Sequence, residues 1–234
     1  MPNPKRRNIS QRSELIYDAH CFGLIIDTRE IFVSPPLEMA MDDAMIDHIV
    51  FHQFLRNFQI LNSMGTETIL VHMGTCGGDW NYGMAMYDVI KASCDDDESS
   101  NVVVLSHAHA RSMSSVIPQA ATWRVLMPNS DYLVHYGEYA VSGNFTNALA
   151  ETKWYEKTTD VMLQIYLSRI REGQFFRREG WDDKQILQWL RDTIDKKQEF
   201  YMTPRDAVDK GFADGVLGDE GFETIKQLRE EEEG

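Results

Sequence analysis

The chain has 234 residues, 43% of them hydrophobic and 26% charged, with 23 lysines and arginines against 37 acidic residues and a formal net charge of −14. That length suits one α/β domain with short appendages, and the acidity argues against a general nucleic-acid or membrane-surface binder, which needs basic patches. Three cysteines (Cys21, Cys76, Cys94) make no disulfide framework, the N-terminus lacks the apolar core of a secretory signal, and no apolar run reaches the roughly 18 residues of a membrane helix, so a cytoplasmic protein is expected.

Residues 1–19 read as a flexible polar arm. "FGLIIDTREIFVS" (22–34) is two apolar runs broken by a polar turn, the signature of a strand pair. Residues 42–61 read as a helix, with Ile46, Val50, Phe54, Phe58 and Leu61 forming one stripe. The methionines ahead of it (Met39, Met41, Met45) suit core packing or a subunit contact. "TILVHM" (68–73) and "NVVVLS" (101–106) are continuous apolar runs, the pattern of strands buried in a parallel sheet. Helices follow each, over 82–93 and 112–121, and "WRVLM" (123–127) and "DYLVH" (131–135) are two further strands. This alternation implies crossover units on a mostly parallel sheet. Beyond Asn144 the pattern changes to a long amphipathic helix over 146–171, a loop over 173–181 and a helix opening at Asp182, with Gln185 placed for a capping box. Thr203, Pro204 and Gly211 punctuate a last short helix as N-cap, first turn and terminator. The acidic runs 94–100 and 229–234 read as solvated loop and tail.

Four features recur at the carboxyl ends of strands, where open α/β sheets place their chemistry. They are Gly77-Gly78, Ser112, His135 and an acidic residue within 192–199. A serine needs an imidazole to take its proton, a carboxylate orients that imidazole, and backbone N–H groups stabilise the oxyanion. Each piece alone has an ordinary structural reading: a tight turn, an N-cap, a bonded histidine.

Together and in order they resemble a known family. "GTCGGDWNYGMAMYDVI" resembles the ClpP peptidase pattern S-P-G-G followed by G-M-x-I-Y-D, with no gap between the glycine pair and Gly83-Met84 or Tyr87-Asp88. "HARSMSSVIPQAA" is similar to that family's nucleophile segment A-S-M-G, "MPNSDYLVHYG" to its L-P-N-S-x-x-x-I-H-Q-P, and "EFYMTPRDAVDKGFADGVL" to its closing segment. The resemblance spans roughly residues 20–218 and implies a crotonase-like ClpP fold. That is an α/β fold, a ββα-repeat core with a mostly parallel sheet and an α/β handle, about 141–170, for ring stacking. An acidic tail, 219–234, would follow. Carried over position by position, Ser112 is the nucleophile, His135 the general base, and the N–H groups of Gly78 and Met113 the oxyanion hole. Glu199 aligns without a gap where the family has Asp, with Asp195 and Asp192 one and two turns upstream as alternatives.

The resemblance further implies a serine endopeptidase that hydrolyses unfolded polypeptides inside stacked heptameric rings, without cofactor or metal, fed by an AAA+ unfoldase of the Clp class. The sequence has no phosphate-binding Gly-x-x-x-x-Gly-Lys-Ser/Thr loop of its own. Departures from the pattern are Thr75-Cys76 before the glycine pair, Arg111 in place of a small residue, Ser114 in place of glycine, Tyr136-Gly137 after the histidine, and the loop 173–181, which reads as an insertion. Arg111 is either ion-paired or crowds the pocket. The alternatives are a catalytically reduced ring subunit, a viral capsid-maturation protease on the same fold, and a crotonase-type lyase or hydratase, against which the Ser112/His135 pair stands. His107-x-His109 invites a metal reading but has no third ligand at short spacing. His72 reads as a satisfied core residue, and Cys76 lacks a base.

Overall fold

A computed structural model of the chain describes residues 9–34, 45–96 and 98–229. The apolar runs become strands and the periodic segments become helices. The order is α1 (Ile9–Phe22), β1 (Leu24–Ile25), β2 (Glu30–Val33), α2 (His48–Met64), β3 (Ile69–Met73), α3 (Trp80–Cys94), β4 (Val102–Ser106) and β5 (His109–Arg111). Then come α4 (Met113–Val116), β6 (Trp123–Leu126), β7 (Asp131–Val134), α5 (Phe145–Ile170), α6 (Gln174–Glu179), α7 (Asp183–Lys197), β8 (Phe200–Met202), α8 (Pro204–Asp209) and β9 (Gly215–Val216).

Two sheets result. The larger runs β1-β2-β3-β4-β6-β9 and is parallel except for the β1–β2 pair, as the alternating pattern implies. Every residue of β3 and β4 is buried, which is why both read as unbroken apolar runs. One face of this sheet packs Ile69, Val71, Met73, Val102 and Val104 beneath the helices. On the other, Leu70, Val103, Leu105 and Val125 are covered by Leu228, with Phe222 and Ile225 beside it. The smaller sheet, β5-β7-β8, has β5 parallel and β8 antiparallel to β7.

Several expectations shift. Residues 9–19, read as part of a flexible arm, lie in α1, whose good helix formers (Gln11, Arg12, Glu14, Leu15, Ala19) carry no clean apolar stripe to announce it. Helix α2 opens at His48 rather than 42, because the Asp47 carboxylate accepts from the N–H groups of Ile49 and Val50 and fixes the start. Residues 42–44, Met39 and Met41 lie outside the described residues. Met45 is exposed rather than core. The loop 173–181 contains α6, capped by Gly173 and by Gly180 at φ 66°, with Phe176 fully buried. Residues 219–229 belong to the fold, since their apolar side chains close the second face of the sheet; residues 230–234 lie outside the described residues. The capping box of Asp182 with Gln185 and the Thr203 cap with Pro204 form as expected.

Candidate active site

Strand β4 ends at Ser106, and the chain steps over to the smaller sheet to form β5. It then reverses at Ser112 into α4. Ser112 sits at φ 51°, ψ −128°, a conformation that costs a non-glycine residue about 1–3 kcal/mol and that its surroundings must impose. They do so through Ser115. Its Oγ lies 2.7 Å from the Ser112 carbonyl oxygen, 3.0 Å from that of Leu133 and 2.7 Å from the Tyr166 hydroxyl. One buried hydroxyl thus ties the serine turn to β7 and to α5.

The paired glycines approach this turn closely. A Cβ on Gly77 (φ 113°) would fall 2.6 Å from the Ser112 Cβ, and one on Gly78 (φ 146°) 2.3 Å from the Ile46 carbonyl oxygen. Only glycine fits at either position. Ile46 bridges this strand in parallel, donating to the Gly77 carbonyl (2.7 Å) and accepting from the Asp79 N–H (2.8 Å). In a parallel bridge the residue between those two contacts turns its own N–H to the far side. The Gly78 N–H therefore faces away from Ile46. Met113 opens α4, where the first N–H groups have no intrahelical acceptor.

Register fixes the rest. In the smaller sheet Arg111 is opposite Leu133, and Val134 is opposite Phe200. One step beyond these pairs, Ser112 follows β5, His135 follows β7 and Glu199 precedes β8. All three stand at one edge of the sheet, with His135 in the middle. One step past the last antiparallel pair, His135 lies across from Glu199, positions whose Cβ atoms would be about 4.5–5.5 Å apart were the ladder continued. Gln198 sits at φ 64°, ψ −51°, and the Glu199 N–H donates to the Lys197 carbonyl at 2.7 Å, so a strained γ-turn sets Glu199 at the start of β8. The two other carboxylates are engaged elsewhere. Asp195 hydrogen-bonds the Tyr136 side chain, and Asp192 accepts from Gln188 Nε2 at 2.7 Å.

Ser112, Met113, His135, Gly77 and Gly78 line one cleft of about 480 Å³. His135 Nε2 is buried with no hydrogen-bond partner, and no hydrogen bond joins it to Ser112 Oγ. Burial pushes the His135 pKa below the ordinary histidine range, against the opposing pull of Glu199 and Glu138. The imidazole is therefore neutral near pH 7, the form that accepts a proton.

The departures from the family pattern find partners. Thr75 and Ser114, both fully buried, hydrogen-bond each other across the turn. Arg111 does not line the cleft. Its guanidinium forks onto the Asp131 carboxylate. Tyr136 joins the cleft wall, and Tyr155 donates from its hydroxyl to the Tyr136 carbonyl at 3.0 Å. Cys76 lines the cleft beside the glycines. His107 and His109 part company: His107 Nε2 lies 2.9 Å from His72 Nδ1, while His109 Nδ1 lies 3.4 Å from Asp131. His72 is the satisfied core residue expected, with Nε2 2.7 Å from Glu30. Among the described residues no group of three or more His, Cys, Asp or Glu side chains is placed to hold a metal ion.

The sequence reading missed the far wall of the cleft: Tyr155, Thr158, Thr159 and Met162 of α5, with Met45 and Trp80 opposite. The spacing 155, 158, 159, 162 is one helical face, and that signal was present.

A serine on a strand-to-helix turn, an imidazole with a free nitrogen and the neighbouring main chain of Gly78 and Met113 supply the kinds of group that acyl transfer to and from a carbonyl requires. An α/β scaffold carrying that set at one sheet edge defines the class of the protein as a hydrolase candidate. The chain belongs to the Clp protease family, whose model matches residues 13–220, and so to a family of peptidases. It is 23% identical over 209 residues to the ATP-dependent Clp protease proteolytic subunit of Deinococcus radiodurans, covering 88% of this chain and 87% of that protein. It is 25% identical over 211 residues to the subunit of the same name from Ligilactobacillus salivarius, covering 89% and 91%. A third relative is the ATP-dependent Clp protease proteolytic subunit 2 of Treponema denticola, 21% identical over 80% of both chains. The resemblance read from the four motifs, and the fold class it implied, are borne out. Among the described residues no helix is long and apolar enough to cross a membrane.

Proposed function

We propose that this chain is a serine endopeptidase subunit, with Ser112 as nucleophile, His135 as general base and Glu199 as the carboxylate that orients it. The observation that carries the reading is the register of β5-β7-β8, which sets the three residues in the order serine, imidazole, carboxylate along one sheet edge. Ser112 Oγ attacks the scissile carbonyl carbon while His135 Nε2 takes its proton. The oxyanion accepts hydrogen bonds from the N–H groups of Gly78 and Met113. Collapse of the tetrahedral intermediate expels the amine, which takes the proton from His135. A water, activated by the same imidazole, then hydrolyses the acyl-enzyme and restores Ser112. Glu199, across the strand pair, stabilises the imidazolium of both steps.

The substrates are unfolded polypeptides. The subunits assemble as stacked heptameric rings that enclose the sites. Supporting this, α5 exposes Trp154 (62%) and Val161 (47%) on one face and Phe145 (82%) on the opposite one, apolar side chains suited to contacts with other copies. The relatives are named as subunits of ATP-dependent proteases, and this sequence has no phosphate-binding loop, so the energy comes from an AAA+ unfoldase of the Clp class in the cytoplasm. A fluorophosphonate probe tests the chemistry. Wild type is labelled and Ser112→Ala is not; a correctly assembled wild type that stays unlabelled refutes the serine mechanism. Native mass spectrometry tests the assembly, and a monomer refutes the enclosed chamber.

A further inference from the structure

Arg111 immediately precedes Ser112 and stands where the family resemblance expects a small residue. Its side chain leaves β5 on the face opposite to fully buried Ala110, in the alternation that a strand imposes. From there it spans the whole small sheet. Its Nε donates to Asp131 Oδ1 at 2.7 Å and its second terminal nitrogen to Oδ2, a two-point fork onto β7. The same guanidinium lies 5.6 Å from the centroid of the Tyr201 ring on β8. Each strand it touches carries one of the three residues assigned above: Ser112 follows β5, His135 follows β7, Glu199 precedes β8. The main-chain ladder holding these strands together is short, three residue pairs on each side of β7.

We propose that Arg111 is a positioning residue for the reaction, a cross-strand strap that fixes the spacing of Ser112, His135 and Glu199. The inference rests on the proposed serine mechanism. The geometry of the fork is the reason for arginine here: a planar guanidinium engages both carboxylate oxygens with two parallel N–H donors, which a lysine ammonium does not do. A strap that spans three strands restricts sliding of β5 and β8 against β7, and a displacement near 1 Å at a nucleophile lowers rates about 100-fold. The Arg111 side chain is not part of the cleft lining, so its effect is expected on turnover rather than on substrate binding.

The test is Arg111→Met, which keeps the side chain's length and packing without the charge or the fork, read by fluorophosphonate labelling rate and by peptide hydrolysis. Arg111→Met is expected to lower the labelling rate and kcat about 10-fold with KM unchanged. Asp131→Asn is expected to produce a similar loss, and the double variant no more than the larger single loss, because both remove one strap. Arg111→Lys is expected to recover only part of the rate. An Arg111→Met enzyme that labels and turns over at the wild-type rate overturns the proposal. So does a loss that appears as raised KM, or a double variant whose losses multiply. Should Arg111→Met not accumulate as folded protein, Arg111→Lys carries the decision, and full activity there overturns the strap. Failure of wild type itself to label bears instead on the serine mechanism, so the two readings fail separately.

Discussion

Replacing Glu199 by Gln removes one charge from the edge of the small sheet and leaves its shape nearly intact. Continuing the antiparallel register by one step puts Glu199 across from His135, at a Cβ separation of about 5 Å for such a pair. When His135 takes the serine proton, the new imidazolium lies roughly 6 Å from the carboxylate. At an effective dielectric near 20 that attraction is worth about 3 kcal/mol. Glu199 is exposed, so solvent screens it to roughly half. About 1.5 kcal/mol of transition-state stabilisation corresponds to a tenfold loss of kcat/KM, and loosened orientation of the ring brings the expected loss to roughly 10–100-fold. Initial rates on a fluorogenic peptide measure it. Asp192→Asn and Asp195→Asn serve as comparisons and are expected to lose less than about fivefold, since their carboxylates contact Gln188 and Tyr136. Because Glu199 holds the His135 pKa up against burial, Glu199→Gln also moves the acid limb of kcat/KM to lower pH. A Glu199→Gln enzyme within twofold of wild type, or a larger loss in Asp195→Asn, refutes the assignment.

In wild type, the acid limb of kcat/KM is expected below about pH 6.5, the ordinary histidine value, because burial depresses the His135 pKa and activity is lost only as pH falls through that depressed value; a limb above pH 7 counts against His135 as base. Stability should fall in acid. Burial and then His72 lower the His107 pKa, so the unfolded chain binds the proton first as pH drops through about 6.5. At Glu30, burial raises the carboxyl pKa, but hydrogen bonds from His72 and Thr28 and the Arg229 charge more than offset it, so its stabilisation holds above about pH 4.3 and is lost below. The Tm is therefore expected to be lower at pH 5.5 than at pH 7.5, with the difference reduced in His107→Gln; a Tm that rises on acidification contradicts the sign. Thr75→Val strands the buried Ser114 hydroxyl at about 1–3 kcal/mol, a Tm drop of roughly 2–10 °C, and adding Ser114→Ala should restore part of it. Equal melting of all three proteins shows that the pair contributes nothing.

The larger sheet was legible because β3 and β4 are apolar on both faces, a pattern that burial alone explains. The caps at Asp182 and Thr203 were legible because their chemistry is local. β5 was hidden because three residues, His109-Ala110-Arg111, carry no periodicity, and their strand character comes from pairing with β7, twenty-two residues away in register. α6 was hidden because Gly173 and Gly180 read as loop, while the burial of Phe176 that orders the turn is a tertiary fact. The same holds at the candidate site. Ser112 and His135 stood out by motif and gapless alignment pointed to Glu199, while its place across the strand pair from His135 comes from register. Whether Arg111 would crowd the cleft depended on Asp131, a residue with no motif to mark it.

The small sheet separates what chemistry needs from what sequence must preserve. Three strand ends carry the groups proposed to react, and those ends are held by main-chain pairing plus the side chains that fasten the strands. One such fastener differs from the family pattern: the guanidinium fork of Arg111 onto Asp131 stands where the pattern has a small residue. Under the proposed mechanism, a chain sharing only 21–25% of aligned positions with these three relatives keeps the reacting groups while the side chains around them differ.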